Sequence, residues 1–144
     1  MNEVNATITK FGYPGTLLRE YEHWVVLFRL KQVTIGSVVI AAKSGAAHVG
    51  GLSPEIWAEF SQVSSDVEQW LGEAFGAKKF NYLALMMKDP NVHFHIIPRY
   101  DAPVTVNGEE FIDTDWPLMT QLQEVSMSDT TKSVTKQEIL KVIK

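Results

Sequence analysis

The apolar residues fall into short runs separated by Gly, Pro, Asn and Ser. Positions 22–29 hold Trp24, Val25, Val26, Leu27 and Phe28, aromatic and β-branched side chains that suit extended backbone. Positions 33–42 form a second run, centred on Val38, Val39 and Ile40. Both are continuously apolar rather than alternating, which predicts strands covered on both faces. Positions 80–87 and 92–97 predict two more strands. Lys88-Asp89-Pro90 between them is short enough for a hairpin turn. A turn with Met86 facing Pro90 sets Asn81 opposite His95.

Between the second and third runs the rhythm changes. Positions 44–51, Ser-Gly-Ala-Ala-His-Val-Gly-Gly, read as a flexible loop. Ser53-Pro54-Glu55 then announces a helix: Ser suits the cap, Pro the first turn, and Glu the positive helix end. Ile56, Phe60, Val63, Val67, Trp70, Leu71 and Ala74 recur at helical spacing, and Gly76 supplies the stop. This helix is expected to cover one face of the sheet. Asn107-Gly108 marks a turn. Thr135-Lys136-Gln137-Glu138 reads as a capping box before Ile139, Leu140, Val142 and Ile143, predicting a short C-terminal helix. Positions 1–15 are polar, end in the turn signal Tyr13-Pro14-Gly15, and read as a loosely attached lead-in to one domain over 16–144.

Composition narrows the function. At 144 residues, with 45% apolar and 21% charged residues, the chain suits one globular core. No apolar run reaches the ~20 residues of a membrane span. The first residues, Met1 to Thr7, lack the basic and apolar stretches of a secretory signal, so a cytoplasmic location is expected. With no cysteine, disulfides and thiol chemistry are excluded. A net charge of -4 without a run of basic residues argues against a nucleic acid polymer as partner. A small phosphorylated ligand needs only a few local donors.

The stretch with chemistry is Asn91-Val92-His93-Phe94-His95-Ile96-Ile97-Pro98-Arg99-Tyr100. In a strand, alternate side chains share a face. Asn91, His93 and His95 are then expected on one open face, with Phe94 buried under the long helix. Three readings follow from the residues alone. The strand carries two histidines by chance; or His-x-His holds a metal, for which a third ligand is wanting because Asp101 is too near and His48 remote; or an imidazole acts as nucleophile while its neighbour holds phosphate oxygens. Of the other candidates, His48 could close over a ligand. Lys88 could meet a departing phosphate or be a solvated turn lysine. Arg99 could bind an anion or form a salt bridge. Trp57 and Trp70 read as core or dimer contacts, His23 as an ordinary half-exposed histidine, and Asp66 and Glu68 as solvated helix surface.

The segment resembles the histidine-triad signature, His-φ-His-φ-His-φ-φ with φ apolar, often followed by Pro-Arg, as Pro98-Arg99 is here. Asn91 stands at the first histidine position, His93 at the middle and His95 at the third. Gly36-Ser37-Val38-Val39-Ile40 resembles the family's Gly-His-x-Leu-Val strand with Ser37 for His. Gly51-Leu52-Ser53-Pro54-Glu55 resembles the opening of its long helix, and Asn81 matches an asparagine on the preceding strand. The likeness is strongest over 22–100 and favours prokaryotic members. It implies an α+β fold, an antiparallel sheet with one long helix, and a homodimer. It also implies hydrolysis or transfer of nucleotides at phosphoanhydride, phosphoramidate or related bonds, without metal or other cofactor. On that resemblance His93 is the nucleophile on the α-phosphate of a nucleotide or nucleotide conjugate, forming a nucleotidyl-histidine. His95 contacts that phosphate, and Asn81, Asn91, Ser37 and Arg99 occupy nucleotide- or phosphate-binding positions. The family's Gly-Gln and hydroxyl residue near the leaving group have no counterpart in Met86-Met87-Lys88-Asp89-Pro90. Because two site imidazoles are replaced, the alternative is a non-catalytic nucleotide-binding module.

Overall fold

A computed structural model describes residues 3–144; Met1 and Asn2, the start of the expected lead-in, lie outside the described residues. The element order is α1 (Ala6–Lys10), β1 (Leu17–Glu20), β2 (Trp24–Phe28), β3 (Val38–Ala42), α2 (Pro54–Phe75), β4 (Lys79–Leu83), β5 (His93–Arg99), β6 (Val104–Val106), β7 (Glu109–Phe111) and α3 (Asp129–Val142). The first five strands form an antiparallel sheet ordered β1-β2-β3-β5-β4. The α+β class, the long helix and the short C-terminal helix are as the sequence reads. Among the described residues no helix is long and apolar enough to cross a membrane.

Strands β2 and β3 are buried at every residue, as continuous apolar character requires when both faces are covered. Trp24, Val26, Phe28, Ile40 and Ile96 join the main core with Val63, Val67, Trp70 and Leu71 of α2. Helix α2 has Pro54 in its first turn and ends at Gly76, whose φ of 75° accepts the left-handed conformation. On the other face, Val25, Leu27, Val39 and Ala41 pack with Ile8.

Four boundaries differ from expectation. Helix α1 lies within the supposed lead-in: Asn5 caps it by accepting the Ile8 N–H at 3.0 Å, and Ile8 and Thr7 are buried on the sheet. A polar run reads as loose because one Ile and one Thr are too few to make a pattern. The second strand begins at Val38, not 33. Positions 33–37 turn, although Val33 and Ile35 are buried, so apolar burial there reflects packing and not extension. The third strand stops at Leu83. Residues 84–92 form a long loop, not a three-residue turn, and its Leu85 and Met87 are exposed while imitating a strand's pattern. Helix α3 starts at Asp129, capped by the Ser128 hydroxyl accepting from the Thr131 N–H. Thr135, the expected cap, lies inside it, and its hydroxyl donates to the Thr131 carbonyl at 2.7 Å. The helix buries threonines at 131 and 135, which carry no apolar signal. Asn107-Gly108 does turn β6 into β7, with φ values of 50° and 78°.

Candidate active site

Strand β5 runs between β3 and β4, and its pleat separates two chemistries. Phe94 faces α2, with its ring 4.9 Å from Phe60 and 6.1 Å from Trp57. Phe94 is half-buried, less than expected. His93 and His95 face the opposite way, paired with Ala41 and Val39. That face is not open. Phe11, just past α1, lies over both imidazoles, at 5.3 Å from His93 and 5.6 Å from His95. His93 is only 2% exposed. The expectation of an open face fails because residues 5–11 fold back over it.

Hydrogen bonding sets the two rings in different tautomers. His93 Nδ1 lies 2.7 Å from the backbone carbonyl of Asn91. A carbonyl only accepts, so Nδ1 carries the proton and Nε2 keeps its lone pair. His95 Nδ1 faces the Nε–H of Arg29 at 3.4 Å. A guanidinium only donates, so in His95 the proton sits on Nε2. Burial, helped by the positive charge of Arg29 and by His93, pulls the His95 imidazole down to about 4, and Asp89 opposes this weakly. The neutral His93 ring thus offers the lone pair of Nε2, beside a His95 that near neutral pH is an uncharged N–H donor. The rings stand edge to face, 5.0 Å apart.

Both imidazoles line a cavity of about 550 Å³. Its apolar wall is Phe11, Leu30, Leu85, Met86 and Met87. Its charged groups are Lys10, Arg29, Lys31 and Lys88 against one carboxylate, Asp89, which Lys10 holds at 2.8 Å. An acidic chain thus carries a cationic basin, suited to a ligand with an apolar part and an anionic part.

The other sequence candidates are placed elsewhere. The Asn91 side chain turns from the cavity: its Oδ1 accepts from the Thr7 hydroxyl at 3.0 Å and its Nδ2 donates to the Gly45 carbonyl at 3.1 Å. Ser37 is fully buried. Its hydroxyl accepts from the Val33 and Thr34 N–H groups and donates to the Thr34 carbonyl, closing the turn before β3. Asn81 pairs with Ile97, and Leu83 is the residue opposite His95. This corrects the expected Asn81–His95 pairing; the strands separate earlier, and the register shifts by two, which keeps Asn81 on the histidine face. Asn81 accepts instead from Arg99, whose guanidinium is 4% exposed and ion-paired to Asp113 at 2.7 Å. His48 is exposed and outside the cavity lining, whereas Lys88 lines it. Among the described residues no group of three His, Cys, Asp or Glu side chains is placed to hold a metal ion.

Sequence reasoning missed Arg29, Phe11 and Lys10. Arg29 left one trace: it continues the alternation Val25, Leu27, Arg29 on the histidine face, at the end of an otherwise apolar strand.

No protein-family profile matches the chain, and no curated protein matches it. Solved structures do. A histidine triad protein of Sinorhizobium meliloti is similar with a TM-score of 0.72 and 15% identity, over 98% of this chain and 96% of that one. A histidine triad protein of Marinobacter aquaeolei gives 0.66 and 21%, over 98% and 97%. A hypothetical histidine triad nucleotide-binding protein of Sulfolobus tokodaii gives 0.67 and 16%, over 94% and 87%. At these identities the likeness is one of architecture, and the chain has the fold of the histidine triad proteins.

Proposed function

We propose that the chain is a histidine triad protein acting as a nucleotidyl hydrolase or transferase through a covalent intermediate on His93. One observation carries the reading: the 2.7 Å contact of His93 Nδ1 with the Asn91 carbonyl, which places the proton of the neutral ring on Nδ1 and leaves the lone pair on Nε2, in a ring that lines a cationic cavity. In the first step His93 Nε2 forms a bond to the α-phosphorus, and the leaving group departs with the electron pair of the bond that breaks. The ring, still protonated on Nδ1, becomes cationic. Its hydrogen bond to the Asn91 carbonyl then strengthens, stabilising the state that forms and not the one that binds. The Nε2–H of His95 serves as donor to a phosphate oxygen. In the second step water bonds to phosphorus and gives a proton to solvent, while the P–N bond breaks and its electrons return to Nε2.

Catalysis by this route uses the main chain of residue 91 and not its side chain. Replacement of the first triad histidine by Asn91 is thereby compatible with catalysis, since any residue supplies a carbonyl. The apolar wall of the cavity suits a base or another flat group. The remaining expectation, a homodimer, is supported by exposed Leu118 and Met119 beside the edge strand β4; light scattering giving twice the chain mass checks it.

The test is mass spectrometry of the intact protein after brief incubation with a dinucleoside polyphosphate. A nucleotidyl adduct on His93, absent in His93→Ala, is expected. Binding of AMP with no adduct and no turnover for any nucleotide leaves the non-catalytic module as the function.

A further inference from the structure

Of the cations at the cavity, Arg29 differs from the rest. Lys10, Lys31 and Lys88 are exposed, whereas Arg29 is half-buried. Lys10 is already paired with Asp89. Among the described residues no carboxylate lies within ion-pair distance of Arg29. Its side chain makes two contacts: Nη1 donates to the Lys31 carbonyl, and Nε reaches His95 Nδ1 at 3.4 Å. A half-buried guanidinium with no carboxylate in contact, and only the more distant charge of Glu124 to offset its burial, is costly to fold, and its planar fork matches phosphate oxygens.

From this placement we infer that Arg29 is a specificity-determining residue that binds a second phosphate beyond the one His93 attacks, while its Nε holds His95 in the Nε2–H tautomer. The inference rests on the nucleotidyl-transfer reading for the identity of the ligand. It narrows the substrate to a nucleotide whose α-phosphorus is joined through an anhydride oxygen to a further phosphate. A single bridging phosphodiester brings about one negative charge, and a phosphate chain brings at least one more. Four cations against one paired carboxylate accommodate the second case.

The leaving group follows the same logic. When His93 Nε2 bonds to the α-phosphorus and the P–O anhydride bond breaks, the departing phosphate keeps the electron pair. Its charge is met by Arg29, so no proton is required. A departing amine must instead take up a proton, which a guanidinium, protonated at every accessible pH, does not supply. Arg29 makes the cavity selective for phosphate departure over amine departure.

Binding tests this without turnover. The full chain is titrated calorimetrically with inorganic pyrophosphate and with inorganic phosphate, and the imidazole nitrogens are followed by ¹⁵N NMR. Pyrophosphate is expected to bind at least about tenfold more tightly than phosphate, with two charge-assisted contacts in place of one. Arg29→Gln is expected to bring the two anions within about threefold of each other. It is also expected to move His95 from a single tautomer to a mixture. Arg29→Lys, which keeps the charge without the fork, is expected to recover part of the pyrophosphate preference but not the tautomer. If Arg29→Gln does not fold, Arg29→Lys carries the test through its tautomer and its reduced preference. Equal binding of the two anions by the parent, or an unchanged preference in Arg29→Gln, overturns the inference. A preference that depends on Arg29 with no nucleotidyl adduct overturns the covalent mechanism and leaves the anion site standing. An adduct without the preference does the reverse.

Discussion

The imidazole of His93 and the peptide carbonyl of Asn91 lie 2.7 Å apart, and the Asn91 side chain points elsewhere, to Thr7 and Gly45. Residue 91 therefore has two separate duties. Its main chain sets the tautomer of the His93 ring, and its side chain fastens α1 to the loop that enters β5.

Substitution separates these duties. Asn91→Ala keeps the carbonyl and loses the fastening. It is expected to cost about 1–2 kcal/mol of stability for the lost hydrogen bonds, with turnover changed less than about tenfold. His93→Ala is expected to keep the fold and reduce turnover by several orders of magnitude, because alanine offers no atom to bond to phosphorus. Urea unfolding and single-turnover rates on one nucleotide conjugate measure both. Parental turnover in His93→Ala rejects the mechanism.

Phe11 roofs both imidazoles, so Phe11→Ala admits water to them. The His95 titration, held at about 4 chiefly by burial, is expected to move up towards its ordinary value of 6.5. An NMR titration of the ring protons checks this; an unmoved midpoint makes Arg29, and not burial, the dominant cause.

Stability is expected to rise with pH through the His95 window. The folded ring titrates at about 4 and the unfolded one near 6.5, with Arg29, His93 and Asp89 facing it. Between those values the unfolded chain binds a proton that the folded chain refuses, so acidification favours unfolding. Discounted for the solvent that reaches the ring, the loss from pH 7 to pH 4 is about 1–2 kcal/mol. Urea midpoints at the two pH values should fall less in His95→Gln than in the parent.

Asp113→Ala removes the partner of the buried Arg99 guanidinium and, with it, an acceptor for the Tyr100 N–H. A loss of about 3–5 kcal/mol is expected from the uncompensated charge. Pyrophosphate affinity at the cavity is expected to stay unchanged where the protein remains folded, since Arg99 and Asp113 do not line it. A matched loss of affinity returns Arg99 to the phosphate site.

Much of this molecule is legible in local pattern. The apolar runs at Trp24–Phe28 and Val38–Ala42, the helical stripe from Ile56 to Ala74 and the period-two alternation of His93, Phe94 and His95 each state which face a side chain takes. Those are short-range consequences of backbone geometry, and they place the two imidazoles on the face away from α2. What covers that face is not local. Asn5 reaches the Ala42 and Ser44 carbonyls, Thr7 meets Asn91, and Lys10 meets Asp89, each across a long stretch of chain. No run of sequence shows those meetings. The cationic basin has the same origin: Lys10, Arg29, Lys31 and Lys88 come from three separate segments, so the sequence holds no basic cluster while the cavity does. Register was also beyond reach, because the pairing of Leu83 with His95 depends on where the loop over the cavity leaves the sheet. Side-chain periodicity decides the face of a residue; only the closure of the chain around the site decides its neighbours, and neighbours set the tautomer and charge on which the chemistry rests.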